Sequence, residues 1–355
     1  MQIRLEIEKR EIDYLSPWAM LSSRTTGRQH YEEPDPIRTA FMLDRDRVVH
    51  SKSFRRLKHK TQVFIAPRGD HYRSRLTHTL EVNQIAKTIG AGLNLNLDLI
   101  EAMALAHDVG HTPFAHAGEQ ILNQLLPGGF RHTENSIRVL TCVEQHKGRN
   151  GLNLTRETLD GVKNHSGYSY GESRAVTLEG QVIRLSDKIA YVQHDIDDSI
   201  RAGLLSLEQI PREYLDVLGD THSKRIATLV IDTIKNTRQQ MDDNHTELIK
   251  VQPSSEVENA LRGLREFMFI NIYQGKVCQA ERSRAMFVIE HLFDYYTHHP
   301  EKMSQLYRQI ADKEGLPIAV ADYISGMSDE YCIEQFNNIY IPQSLVPVYD
   351  SLDNF

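Results

Sequence analysis

Residues 106–119 read AHDVGHTPFAHAGE. The apolar run from Ile100 to Ala106 has the character of a helix, and it stops at His107-Asp108. Gly110, His111, Pro113, His116 and Glu119 follow at once. Adjacent imidazole and carboxylate groups are donors for a divalent cation. Two further imidazoles and a carboxylate just beyond them are suited to proton transfer beside such an ion. A His-Asp pair at a helix end is also what a cap followed by a surface residue looks like. The reading therefore depends on what the rest of the chain supplies.

It supplies His78 in RLTHTLEV and Asp187 in VIRLSDKIAY, each inside an otherwise apolar helical stretch. Ionisable groups in such stripes are costly unless paired or metal-bound. The order H…HD…D gives two imidazoles and two carboxylates, His78, His107, Asp108 and Asp187, a mixed set that fits one divalent ion with positions left open. Asp98 and Glu101 have the spacing of a capping box for the helix ending in the His-Asp pair, and Gly110 reads as its terminator. A cation is favoured at that C-terminus by the helix dipole. Arg75 precedes His78 by three residues, a spacing that within one helical turn, or at its entry, makes both face the same space. On a helix begun after Pro113, His116 and Glu119 are i, i+3 neighbours, an imidazole with a carboxylate to orient it. Asp187, Tyr191 and Asp195 repeat at i, i+4, i+8 and line one helix face.

The motif H…HD…D, with GHTPFAH directly after the HD pair, resembles the HD phosphohydrolase superfamily. Within it the chain is similar to the deoxynucleoside triphosphate triphosphohydrolases, most of all the bacterial dGTPase-like proteins. The similarity is carried by FRRLKHKTQVF (54–64), RSRLTHTLEV (73–82), AHDVGHTPFAHAGE, FRHTENSIRVL (130–140) and LEGQVIRLSDKIAYVQHDIDDSIRAG (178–203), with a weaker echo around Tyr273. The resemblance implies hydrolysis of a dNTP to a deoxynucleoside and tripolyphosphate. It implies one divalent ion per site (Mn, Mg or another first-row metal) and His116 as acid/base. Phosphate contacts are implied for Arg75, Lys188, His111 and His132, although His132 also reads as a helix-entry residue beside Thr133 as the N-cap. Sugar selection is implied for Gln62, Tyr191, Asp195 and Tyr273, the two tyrosines also being readable as ordinary core aromatics. A homo-oligomer is implied as well.

Composition narrows the alternatives. The 355 residues are 40% hydrophobic and 25% charged, a globular composition, without an apolar run of membrane-spanning length. The charged N-terminus lacks a signal-peptide core, and the odd, scattered Cys142, Cys278 and Cys332 suggest neither a disulfide framework nor a zinc knuckle. A cytoplasmic location is the expectation. A net charge of −7 makes nucleic acid a secondary partner at most. The basic residues between Arg45 and Arg75 read either as a solvated face or as a polyanion site beside His78.

The expected fold is all-α: an arm over residues 1–36, a helical HD core over 37–205, and a C-terminal helical region over 206–355 packed on the core. A helix is expected from Ile37 to about Lys60, and a small β-hairpin near 61–75, where TQVFIAPRGDHY carries a turn signal. Leu80, Ile85, Ile89 and Leu93 are expected to share a buried stripe. The Gly- and Asn-rich segment 145–176 reads partly as a loop over the site, with His165 near it. The competing functions are another HD phosphohydrolase, acting on a nucleoside monophosphate or cyclic nucleotide, and a nucleotide-sensing or nucleic-acid-binding protein with weak turnover.

Overall fold

The computed structural model describes residues 3–62, 72–167, 174–243 and 249–342. Among these the chain is all-α. One helix decides where the chemistry lies. In Leu97–Ala106, seven residues from Leu99 onward are buried with only Glu101 breaking the run. A helix apolar on nearly every side has to run through the interior. Its C-terminus therefore delivers His107 and Asp108 to the middle of the molecule, where both are buried.

In chain order the helices begin with α1 (Ile3–Tyr14), α2 (Ala40–Val49), α3 (Lys52–Arg56), α4 (Arg75–Gly92) and the central α5 (Leu97–Ala106). Then come α6 (Ala115–Leu125), α7 (His132–Arg138), α8 (Arg156–Lys163) and the long α9 (Leu178–Arg201). The remainder are α10 (Arg212–Leu218), α11 (His222–Asp242), α12 (Ser255–Met268), α13 (Lys276–His298), α14 (Gln305–Glu314), α15 (Leu316–Ser325) and α16 (Asp329–Tyr340). Thr39, Ser51, Ser74, Thr155 and Thr177 each cap the helix that follows, a device typically worth about 1 kcal/mol apiece. None of the helices is long and apolar enough to cross a membrane.

Among the described residues three apolar cores divide the chain in an order that its sequence does not follow, the third joining Val48 of α2, Leu105 and Ala106 of α5 and Val162 of α8. α4, α5 and α9 pack together, and α10, α11 and α12 close over them with Leu215, Leu229 and Leu264. In the second core, Ile121 and Leu122 of α6 pack with Ile289 and Leu292 of α13 and with α15. The element carrying His116 and Glu119 thus belongs to the C-terminal core, whereas His78, His107, Asp108 and Asp187 belong to the first. The N-terminal segment lies on the first core: Glu11 receives the backbone N–H and hydroxyl of Ser22, Glu179 receives Met20 N–H, and Glu157 receives Thr25 and Thr26.

Several local expectations are corrected. The stretch expected as one helix from Ile37 to Lys60 is two, because Ser51 is extended and caps α3. Asn96, not Asp98, caps α5 by accepting from Asp98 N and Leu99 N; Asp98 and Glu101 instead face Arg45. Gly110 does not take the left-handed conformation of a terminator. It is there because a Cβ would stand 2.1 Å from Ser136 N. Leu80 is half exposed while Ile85, Ile89 and Leu93 are buried. The described hairpin is β1 (Gln145–His146) against β2 (Arg149–Asn150). For the hairpin expected near 61–75, Thr61 and Ser74 are bridged antiparallel, and residues 63–71 between them lie outside the described residues.

Candidate active site

α4, α5 and α9 bring His78, His107, Asp108 and Asp187 together. His78 Nε2 lies 3.1 Å from Asp187 Oδ1 and 3.9 Å from Asp108 Oδ2. His107 Nε2 lies 3.5 Å from Asp108 Oδ2 and 3.9 Å from Asp187 Oδ1. The four are buried or nearly so, and His78, His107 and Asp108 offer donor atoms within 4.8 Å of one another. The donor set fits a divalent cation. His107 Nδ1 donates to Ala104 O at 2.6 Å, which leaves Nε2 as the lone pair, and that buried atom has no hydrogen-bond partner among the described residues. Burial alone would raise both carboxyls. For Asp108, the neighbouring imidazoles of His107, His111 and His78 and the Arg75 guanidinium outweigh it and hold the group well below its usual range. For Asp187, the His78 hydrogen bond and the neighbouring imidazoles bring it down to about 2. Ionised carboxylates and free imidazole lone pairs are the forms that bind metal.

Behind His78 stands a pair of residues that the sequence did not single out. His78 Nδ1 lies 3.3 Å from His194 Nδ1, and His194 Nε2 lies 2.8 Å from Glu81 Oε2. A lone pair on His78 Nε2 puts the proton on Nδ1, which donates to His194; His194 then donates to Glu81. A carboxylate at the end of such a chain fixes the tautomer and ring of a ligand. Burial keeps His194 neutral by lowering its pKa to about 4. The available signals were a histidine two turns beyond Asp187 on α9 and a glutamate three residues after His78.

The cluster opens into a cavity of about 580 Å³. On one side, Arg75 lines it and donates from Nη1 to Asp108 Oδ2 at 2.9 Å, with its buried Nε unpartnered among the described residues. His111 stacks on His132 with ring centroids 4.1 Å apart, and both line the cavity. His111 is held neutral, far below its usual pKa, by burial and then by the charges of Arg75 and His132. Glu119 joins the imidazoles: Oε1 accepts from His132 N at 2.8 Å and meets Nδ1 at 2.9 Å, while Oε2 lies 3.3 Å from His116 Nδ1. Burial would raise its carboxyl, but these bonds and the surrounding positive charge hold it far below the carboxylate range. Glu119 therefore orients two histidines, and His132 more closely than the expected His116. His132 is the first residue of α7, whose N-cap is Arg131, not Thr133. His116 is the exposed member of the group, its side chain 59% accessible.

Tyr191 and Tyr273 form a wall with ring centroids 5.8 Å apart, joined by Phe269. Gln62 lines the same space. Two expected residues do not. Asp195 is fully buried and absent from the lining. Burial, reinforced by Asp198, pushes its carboxyl well above the ordinary range. Lys188 lines a separate groove of about 90 Å³ with Arg184 and Glu258, because one step along α9 from Asp187 turns a side chain by about 100°. Nor is the basic stretch one polyanion face. Arg56 is tied to Gly326 O, Lys60 to His111 O and Ser325 O, and Arg73 to Glu81 and Asp198. His165 stands beside His107 and His132, ring centroids 5.0 and 5.4 Å away. That agrees with its expected nearness to the site.

Comparison with known proteins matches the HD domain to residues 75–192 and a phosphohydrolase-associated domain to residues 251–338. A deoxyguanosinetriphosphate triphosphohydrolase-like protein of Clostridium tetani is 54% identical over 348 residues, covering 98% of each chain. The chain belongs to this family of HD-domain phosphohydrolases. A relative of the same name in Clostridium perfringens is 53% identical over 97% of this chain and 99% of its own, and one in Caldanaerobacter subterraneus is 48% identical over 96% and 97%. In this HD domain the matched segment begins at Arg75 and runs one residue past Tyr191. It contains the whole His/Asp cluster and the His111–His116–Glu119–His132 group.

Proposed function

We propose that the protein hydrolyses deoxynucleoside triphosphates to the deoxynucleoside and tripolyphosphate. His78, His107, Asp108 and Asp187 would hold the divalent ion. The observation that carries the reading is one cavity with a His/Asp donor cluster and a carboxylate-oriented histidine group at one side and a tyrosine wall at the other. It occurs in a chain aligned end to end with proteins named for dGTP hydrolysis. A divalent ion there, when bound, would polarise a phosphoryl oxygen and orient water.

The residues of the chain divide the remaining work. Arg75 turns from Asp108 to the triphosphate, giving the charge-assisted contacts that a polyanion requires. Neutral His111 and the stacked His132 offer further donors on the same side. The bond to be cleaved is P–O5′, whose alkoxide leaves poorly unless protonated. His116, on the exposed edge and oriented by Glu119, supplies that proton. Gln62, Tyr191 and Tyr273 select the sugar. A ribose 2′-hydroxyl against the tyrosine wall is crowded or left without a partner. Asp195 acts from behind Tyr191, and Lys188 from its separate groove contributes charge alone. A homo-oligomer belongs to the same reading.

The test is product analysis. Purified protein is incubated with each dNTP, and with GTP, in the presence of Mn²⁺ or Mg²⁺. Tripolyphosphate with free deoxynucleoside supports the assignment. Pyrophosphate or orthophosphate selects a different HD phosphohydrolase, and tight dNTP binding without turnover selects a sensor.

A further inference from the structure

We propose that Asp329, from the far C-terminal helix α16, is a positioning residue for the loop that carries His116. One buried carboxylate grips both the turn before α6 and the segment leading to Gln62. It thereby fixes the histidine group, carried by the core of α6 and α13, relative to the His/Asp cluster carried by α4, α5 and α9. The proposal rests on the reading of His116 given above.

Asp329 is 4% exposed. Its Oδ1 accepts the Phe114 N–H at 3.0 Å; its Oδ2 accepts the Thr61 N–H at 3.1 Å and the Thr61 hydroxyl at 2.7 Å. All three bonds leave the C-terminal helices for loops of the site. They are not helix capping, since Ser328 already caps α16 by accepting from Tyr331 N. Lys60 makes a parallel bridge nearby, donating to His111 O and to Ser325 O at the end of α15. The segment from His111 to Phe114 is thus tied at both ends to the corner between α15 and α16.

The loop needs such a hold. Phe114 and Ala115 have φ of +58° and +52°, left-handed values in two successive residues that are not glycine. Each is a strained conformation that persists only where the surroundings over-determine it. Thr112 Oγ1 donates to Ala115 O at 2.8 Å, and Gly118 admits the turn because a Cβ there would lie 2.2 Å from Pro113 O. These contacts are internal to the turn. Among the described residues, the bond from outside it to the Phe114 amide is that of Asp329. His116 follows the strained pair directly, so a relaxed turn re-aims its ring. Ionised carboxylate is the group for this position: an amide in its place accepts on one side and presents N–H to N–H on the other.

The full-length chain is compared with Asp329→Ala, each with and without Ala115→Gly. Glycine adopts the left-handed turn without steric cost, so it lessens the need for the clasp. Asp329→Ala is expected to lower kcat for dNTP hydrolysis about 10- to 100-fold. KM and the Mn²⁺ dissociation constant should stay within about threefold, because the donor cluster lies on α4, α5 and α9. In the Ala115→Gly background the same substitution should cost several-fold less. Amide hydrogen exchange should show protection lost at Phe114 and its neighbours but kept in α5 and α9. Unchanged kcat overturns the proposal. So do an equal loss in both backgrounds and a loss of protection spread over the whole chain, which mark general destabilisation. If the wild type hydrolyses no dNTP, the functional reading fails. Exchange still decides for Asp329: loss confined to the turn upholds the clasp, and protection intact at Phe114 overturns it.

Discussion

His116 and His78 carry opposite environments, and their substitutions separate accordingly. His116 is exposed and outside the donor cluster, so His116→Ala should reduce kcat by about 10² to 10⁴ while Mn²⁺ still binds. Steady-state kinetics beside a calorimetric metal titration checks both halves, and loss of metal would place His116 among the ligands. Glu119→Gln should lower kcat less, because the amide still hydrogen-bonds. Its effect reaches His132 as well as His116, so the double variant should fall short of the sum of the two. His78 acts through the residues behind it. His194→Ala or Glu81→Gln should weaken Mn²⁺ binding by about 10- to 100-fold, read by titrating the metal-free protein. Unchanged affinity would make the His78–His194–Glu81 chain mere packing. At this scale the legible residues were those with a local signature: adjacent His-Asp, the i, i+3 pair, ionisable groups in apolar stripes. His194 had only its two-turn spacing from Asp187, and Asp329 had none. Their roles depend on a partner more than a hundred residues away, and no periodicity encodes that.

At the scale of elements, the apolar period revealed the long helices, α4 and α9, and the wholly apolar α5, because burial of a face is written into the spacing of its residues. Ends were harder, since a cap is chosen by hydrogen bonding among near neighbours. Asn96 outcompeted Asp98, and the extended Ser51 split one expected helix. Gly110 shows the limit most clearly: glycine after a helix suggests a left-handed stop, yet here it permits close approach. Asn135 and Ser136 of α7 lie where its Cβ would go, and Ser136 links the two segments by donating to His107 O while accepting from Gly110 N. Gly110→Ala has no flexible side chain to displace, only backbone. It should destabilise the fold by roughly 1–3 kcal/mol, as overpacking does, and move His107 with it. Urea unfolding together with the Mn²⁺ titration measures both. Gly128→Ala is the control, because nothing lies within 4 Å of its Cβ. Equal stability of the two variants would mean the contact yields.

Across the described molecule, the site draws on two of the three cores, which the linear order interleaves: α6 joins α13 and α15, while α10 to α12 join α4, α5 and α9. The sequence suggested a C-terminal region packed on an HD core. It did not suggest that α6 would side with that region, since period alone marks a buried face without naming what covers it. Lys60 joins the His111 loop to the end of α15, fully buried, with its ammonium group between His111 O and Ser325 O. Burial, helped by the charge of Arg56, lowers its pKa from 10.5 to about 7. In the unfolded chain the group keeps its ordinary value. Between those two pH values unfolding takes up a proton, so the contribution of Lys60 to stability rises with pH. Below about 7 the lysine is charged in both states and the full cost of burying that charge is present; above 10.5 it is absent. The stability difference between wild type and Lys60→Met should therefore shift towards wild type as pH rises from 7 to 9. The slope should be at most about 1.4 kcal/mol per pH unit, the value for one proton. Urea unfolding of both proteins at successive pH values measures it. A flat difference would mean that Lys60 stays protonated in the fold, with the two carbonyls as sufficient solvation for its charge.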